Sequence, residues 1–265
     1  MNKLKKTILG VLICGTLFMG ILYTFQEKMI FLPEKIEANY SYNFPFDFEE
    51  INLTTEDNET INALHIKAEN PKGIVLFFHG NKGNLIRWGE ITSYFTQYQY
   101  DVFVMDYRGY GKSTGAFNES AMYKDALLSY NYVQQQFNES QIVVYGRSLG
   151  TTFAAKVGAM FRPKHIVLEA PFYSLQKAAN HRYKMVPNFM MKFKFRTNQL
   201  APEIKSSVTI FHGTDDKVTA YKDSQQLFAL LTTPNKKLVL LEKGSHHNVR
   251  DFQEYTKVLK AILNE

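Results

Sequence analysis

IVVYGRSLGTTFAAKVGAM, residues 142–160, is the stretch on which the reading of this chain turns. The β-branched run Ile142 to Tyr145 ends at Gly146, and a helix-like segment, Thr151 to Met160, follows Gly150. Between them, Gly146-Arg147-Ser148-Leu149-Gly150 has the GxSxG form. In that form a serine occupies a strained strand-to-helix turn, and the flanking glycines let the backbone bend tightly enough to present the hydroxyl above a sheet edge. The expectation is a nucleophilic serine, Ser148, with an acid and then a histidine following in the chain.

Around this turn the pattern is that of an α/β chain. Ile74 to Phe78, Val102 to Met105, His165 to Leu168, Val208 to Phe211 and Leu238 to Leu241 are short apolar runs separated by helix-length segments. Strands buried on both faces of a mostly parallel sheet covered by helices read this way. Phe48 to Thr54 and Thr60 to Ala68 instead alternate apolar and polar residues around Glu56-Asp57-Asn58-Glu59, which predicts an antiparallel hairpin with one wet face. Ligands in such open sheets bind beyond the carboxyl ends of the strands. His79-Gly80-Asn81, Asp106, Ser148, Glu169, His212 to Asp216 and Gly244 to Asn248 all fall at those ends.

Composition bounds the alternatives. The chain has 265 residues, 45% hydrophobic and 21% charged, enough for one sizeable core. A single cysteine, Cys14, excludes an intramolecular disulfide and a cysteine-based metal site. Lys3, Lys5 and Lys6 precede Thr7 to Phe25, which carries no charge over 19 residues and is long enough for a membrane-crossing helix. No small-x-small cleavage site closes it, so an uncleaved anchor is expected over a signal peptide. The basic amino-terminal flank places that end in the cytoplasm and the remainder of the chain outside it. The expected organisation is an anchor over residues 1–28, a tether over 29–45 and one folded domain over 46–265. Residues 171–206 interrupt the strand-helix alternation and read as a helical cap. There seven basic residues oppose one acid, Glu203, within a chain of net charge +6. Phe172, Tyr173, Met185, Phe189, Met190, Met191, Phe193 and Phe195 would line an apolar channel suited to acyl chains, or simply pack the cap on the sheet. The basic surface suggests anionic lipid as a neighbour. It does not coincide with a nucleic-acid motif, and no nucleic-acid partner is expected. GKS at 111–113 is not a phosphate loop, because Asp106 stands where that motif needs glycine.

FHGNKGN (78–84), DYRGYGKS (106–113), GRSLG (146–150), EAPF (169–172), HGTDDKV (212–218) and GSHHN (244–248) together resemble the α/β-hydrolase superfamily. The resemblance is strongest to its small membrane-anchored branch, and QEKMIFLP (26–33) is similar to the segment that follows the anchor there. It implies an α/β-hydrolase fold and a serine hydrolase acting through Ser148, His247 and Asp216. Asp215 and Glu169 remain alternative acids, and His246 competes with His247 for the base; the match of Gly244-x-x-His247-Asn248 favours His247. His79 and His212 read as turn-shaping residues. The oxyanion hole would be the backbone N–H groups of Asn81 and Leu149. The resemblance implies no metal or cofactor, and a substrate that is a carboxylic ester, thioester or amide, with an acyl ester or thioester favoured by cap and anchor.

Overall fold

The computed structural model describes residues 3–183 and 186–264. In chain order the elements are α1 (Lys3–Ile30), β1 (Leu32–Pro33), β2 (Phe48–Thr54), β3 (Thr60–Ile66), β4 (Gly73–Phe78), β5 (Lys82–Gly83), α2 (Leu85–Thr92) and β6 (Tyr100–Met105). There follow α3 (Glu119–Gln134), β7 (Ile142–Arg147), α4 (Gly150–Met160), β8 (His165–Glu169), α5 (Leu175–Tyr183) and α6 (Thr197–Leu200). The chain closes with β9 (Ser207–Gly213), α7 (Tyr221–Leu230), β10 (Lys236–Leu241) and α8 (Gln253–Asn264).

Eight strands form one sheet in the order β10-β9-β8-β7-β4-β6-β3-β2. Only the pairings β2–β3 and β3–β6 are antiparallel. Every residue of β4, β6 and β8 is buried, as continuous apolar runs require when both faces of a sheet are covered. Alternation along the strands sorts the side chains into two cores. Leu76, Phe78, Ile142 and Val144 pack with Met122, Ala126 and Phe153 of α3 and α4 on one face. Val75, Phe77, Val143 and Tyr145 pack with Trp88 of α2 and Tyr255 and Leu259 of α8 on the other. β2 keeps one wet face, in agreement with the hairpin expected for it.

The winding reverses between β4 and β7, which are hydrogen-bonded neighbours with Phe78 opposite Gly146. Their carboxyl ends, carrying the HGN turn and GRSLG, therefore flank the crevice where such sheets bind ligands.

α1 extends over 28 residues, and Leu12, Ile13, Leu17, Ile21 and Phe25 along it are exposed, whereas Ile30 at its end is half-buried against the core. Among the described residues no helix is long and apolar enough to cross a membrane, so the anchor reading rests on the charge-free stretch of sequence. The segment after α1 is fastened to the domain. Phe31 is buried and stacks on Phe117 at 4.2 Å, β1 pairs in parallel with β5, and the Tyr42 hydroxyl donates to Asn62 Oδ1 at 2.9 Å.

His165, at the start of β8, is buried with Nε2 2.9 Å from Thr209 Oγ1. Burial, with Lys164 adding to it, holds its pKa down to about 4. The unfolded chain binds this proton near pH 6.5, so stability falls as pH drops from there towards 4. The contribution lost by pH 4 is about 3 kcal/mol. His165→Gln, which cannot titrate, is expected to lose less stability than the wild type between neutral and pH 4.5 in urea unfolding. Equal losses would show that His165 does not carry the effect.

Candidate active site

GRSLG is a turn that the packing permits only with glycine at both ends. A Cβ on Gly150 would lie 1.9 Å from the Phe78 carbonyl oxygen, and one on Gly146 would lie 2.5 Å from the Gly150 oxygen. Ser148 itself has φ +52°, in the left-handed region that a non-glycine residue occupies at a cost of order 1–3 kcal/mol. Its N–H donates to the Glu169 carbonyl at 2.8 Å, which ties the elbow to the end of β8. The strained conformation lifts the hydroxyl into the crevice.

The side chain that meets this hydroxyl is His246. Its Nε2 is 3.1 Å from Ser148 Oγ and its Nδ1 is 2.6 Å from Asp216 Oδ2. Here the structure differs from the sequence reading, which placed His247 at the serine. His247 is exposed, with its ring 89° to that of His246, and has no side-chain contact with Ser148 or Asp216 among the hydrogen bonds of the described residues. The loop geometry is the cause. Asn248 Oδ1 accepts from both the backbone N–H and the hydroxyl of Ser245, at 2.7 and 2.9 Å, and the Gly244 carbonyl accepts from Asp215 N–H at 2.8 Å. This closed loop turns His246 inward, and its immediate neighbour must then face out.

Asp216, the expected acid, is the carboxylate at this histidine, while Asp215 is exposed. Oδ1 accepts the N–H groups of Val218 and Thr219 at 2.7 and 2.9 Å, and Oδ2 accepts the Thr219 hydroxyl at 3.0 Å as well as His246. Burial alone would raise its pKa. The hydrogen bonds from His212, His246 and Thr219 outweigh burial and hold it well below the usual carboxylate range. As an acceptor only, the carboxylate keeps the proton of His246 on Nδ1 and leaves Nε2 free to accept from serine. His212 supports this acid from below the loop, with Nδ1 on the Ser224 hydroxyl at 2.6 Å.

Glu169, the other alternative acid, is engaged elsewhere. It is buried between Arg147 (2.9 Å) and Arg250 (3.2 Å), and the Tyr145 hydroxyl donates to it at 2.5 Å. Burial works against its charge, yet the two guanidiniums prevail and lower its pKa. Sequence reasoning missed this cluster behind the elbow. Arg147 lies inside the motif and offered a signal; Arg250, in the loop before α8, offered none. Arg108 and Asp106 brace the neighbouring loop: Arg108 holds Asp125 through Nε and Nη2 at 2.7 and 2.8 Å, and Asp106 accepts Leu85 N–H at 3.1 Å.

Across the crevice stands the HGN turn. Among the described residues the backbone N–H groups of Asn81 and Leu149 have no acceptor, so both remain available to a ligand oxygen. The cap lies alongside. Most of the side chains expected along an apolar channel are packing groups: Phe172, Met190, Met191, Phe193 and Phe195 are buried, and Phe31 packs edge-on against Phe193 at 4.9 Å. Phe189 is 78% exposed, and Met185, with its neighbour Lys184, lies outside the described residues. The basic surface is partly paired, Lys177 with Asp223 at 2.8 Å and Lys192 with Glu27 at 3.5 Å.

Comparison with known proteins agrees with this architecture. The chain is 26% identical over 277 residues to a yeast protein, "Uncharacterized membrane protein YNL320W" of Saccharomyces cerevisiae, with 99% of this chain and 98% of that one covered. It is 25% identical over 271 residues to the lysophosphatidylserine lipase ABHD12 of Danio rerio, covering 84% and 70%. Among solved structures, the Pyrococcus furiosus esterase Pf2001 superposes with a TM-score of 0.71 at 20% identity, covering 88% of this chain and 98% of that one. A family profile described as "Serine aminopeptidase, S33" matches residues 69–202, half of the chain and the stretch that contains the HGN turn and GRSLG. This match, on a sheet wound as described, shows that the chain belongs to the serine aminopeptidase S33 family of α/β-hydrolases.

Proposed function

We propose that the protein is a membrane-anchored serine hydrolase that cleaves an ester or thioester of an acyl chain. The observation that carries this reading is the continuous contact from Asp216 through His246 to Ser148, 2.6 and 3.1 Å, at a serine held at positive φ. In the cycle, His246 takes the Ser148 proton as Oγ attacks the carbonyl carbon. Asp216 keeps the ring oriented and stabilises the imidazolium. The N–H groups of Asn81 and Leu149 receive the oxyanion. His246 then protonates the leaving group as its bond to the carbonyl carbon breaks; a water molecule, deprotonated by the same imidazole, adds to the acyl carbon, and the imidazolium returns the proton to Ser148 Oγ as the acid is released.

Residues 1–28 serve as anchor, 29–45 as tether and 46–265 as hydrolase domain with its cap at about 171–206. The amino terminus is cytoplasmic and the domain lies outside the cytoplasm. The charge-free stretch, the exposed apolar side chains of α1 and the description of the yeast relative as a membrane protein support the anchor, and the basic residues before it support the orientation. The lipase name of the fish relative supports a lipid-derived substrate.

The family description favours a second reading, hydrolysis of an amino-terminal amide. Such a substrate presents a cationic amine that calls for a free carboxylate beside the serine. Glu169, whose backbone carbonyl accepts the Ser148 N–H at 2.8 Å, has its carboxylate neutralised by Arg147 and Arg250, which argues for the ester reading. The two are separated by comparing kcat/KM for esters and thioesters of increasing acyl length with that for aminoacyl amides. Acyl esters or thioesters are expected to be preferred by about 100-fold or more; a preference for the amides would overturn the first reading.

A further inference from the structure

Asn81, the residue that would supply one oxyanion donor, is held by the chain segment that leaves the anchor helix, through its side chain and through the carbonyl of the peptide that follows it. Leu32 N–H and the Tyr110 hydroxyl both donate to the Asn81 carbonyl, at 2.9 and 2.8 Å. The Asn81 side-chain amide donates to the Ile30 carbonyl at 2.9 Å. Asn81 is thus gripped through both its carbonyl and its side chain, while its N–H has no acceptor among the described residues. The grip is fixed in turn by Phe31, whose ring is buried between Phe117 (4.2 Å), Phe193 (4.9 Å) and Phe195 (6.3 Å). One turn earlier, the Gln26 side chain bridges the cap, donating to the Met190 carbonyl and accepting the Lys192 N–H at 3.0 Å. The last turn of α1 and β1 therefore touch both the oxyanion turn and the cap.

On the reading of Ser148 as nucleophile, we infer that Gln26 to Pro33 is a positioning element of the catalytic site, setting the direction of the Asn81 N–H and linking the seat of the anchor helix to turnover. Proper aim matters because a donor displaced by about 1 Å costs up to about 100-fold in rate while substrate binding is little changed. Such a segment acts on kcat and leaves KM nearly untouched.

The test uses the full chain in detergent, with active serines titrated by a fluorophosphonate and kcat expressed per titrated site. Asn81→Ala removes the grip on Ile30 but keeps the backbone N–H, and Tyr110→Phe removes one hydroxyl without altering the packing. Each is expected to lower kcat for an acyl ester about tenfold, with KM within about twofold, and Phe31→Ala to lower it further. Phe31→Leu, which refills most of the space, is expected to recover most of the Phe31→Ala loss. The proposal is overturned if Asn81→Ala and Tyr110→Phe keep wild-type kcat per titrated site, even with lowered thermal midpoints. A wild-type chain that cannot be titrated would instead remove the nucleophile reading itself, and this inference with it.

Discussion

His246→Ala is expected to lower kcat for ester hydrolysis on the order of 10⁴-fold, and His247→Ala to leave it within about threefold. The asymmetry follows from position alone, since the two rings are adjacent and chemically identical. Only His246 reaches both Ser148 Oγ and a carboxylate, and without it the hydroxyl has no proton acceptor among its described contacts. The residual rate would come from the backbone donors at Asn81 and Leu149 and from substrate binding. Asp216→Asn is expected to be severe as well, because an amide in that place would favour the wrong tautomer of the imidazole. The carboxylate of Asp216 is held far below the usual range and remains ionised in mild acid. Steady-state kinetics on a soluble acyl ester checks all three variants, and a large His247→Ala effect beside a mild His246→Ala effect would reverse the assignment.

Glu169→Gln is expected to destabilise the fold by about 3 kcal/mol at neutral pH, the scale for breaking a buried ion pair by neutralising one partner. The glutamate is 1% exposed and neutralises two guanidiniums, Arg147 and Arg250, that remain in place when its charge is removed. Tyr145, hydrogen-bonded to both Glu169 and Tyr255, loses part of its network as well. The pH dependence has a definite sign. The folded-state pKa of Glu169 is depressed, so its contribution is complete above the ordinary glutamate range and is lost as pH falls through the folded value. The difference in stability between wild type and variant is thus expected to be full at pH 7 and to shrink in strong acid. Denaturant unfolding across pH measures it; a difference that is small at neutral pH, or that grows on acidification, would refute this role.

Much of the fold is written locally. The continuous apolar runs of β4, β6 and β8 and the alternating hairpin of β2 and β3 report their own burial, because a strand covered on both faces must be apolar throughout. The turn at Ser148 was legible too, since the glycines of GRSLG constrain the backbone there, whereas Asp216 was named through the resemblance of HGTDDKV to the family pattern. The choice between His246 and His247 was not legible. It depends on Asn248 closing a loop around Ser245 and on Gly244 packing against Gly213, contacts whose effect on side-chain direction has no periodic signature. The cap aromatics left channel and packing open as readings for a related reason. Phe193 and Phe195 face Phe31, whose burial depends on a partner more than 160 residues away in the chain. Tyr40, Tyr42, Phe44, Phe46 and Phe48 alternate and their rings contact one another, with Tyr42 buried and Phe44, Phe46 and Phe48 packed on the same core, so this part of the expected tether lies against the domain.

The most direct test of the central claim is to label the full chain in detergent with a fluorophosphonate and map the adduct by mass spectrometry. The account predicts a single adduct on Ser148, formed at near wild-type rate in His247→Ala and almost abolished in His246→Ala and Asp216→Asn. A folded chain that takes no label on Ser148, or one labelled equally fast without His246, would contradict it.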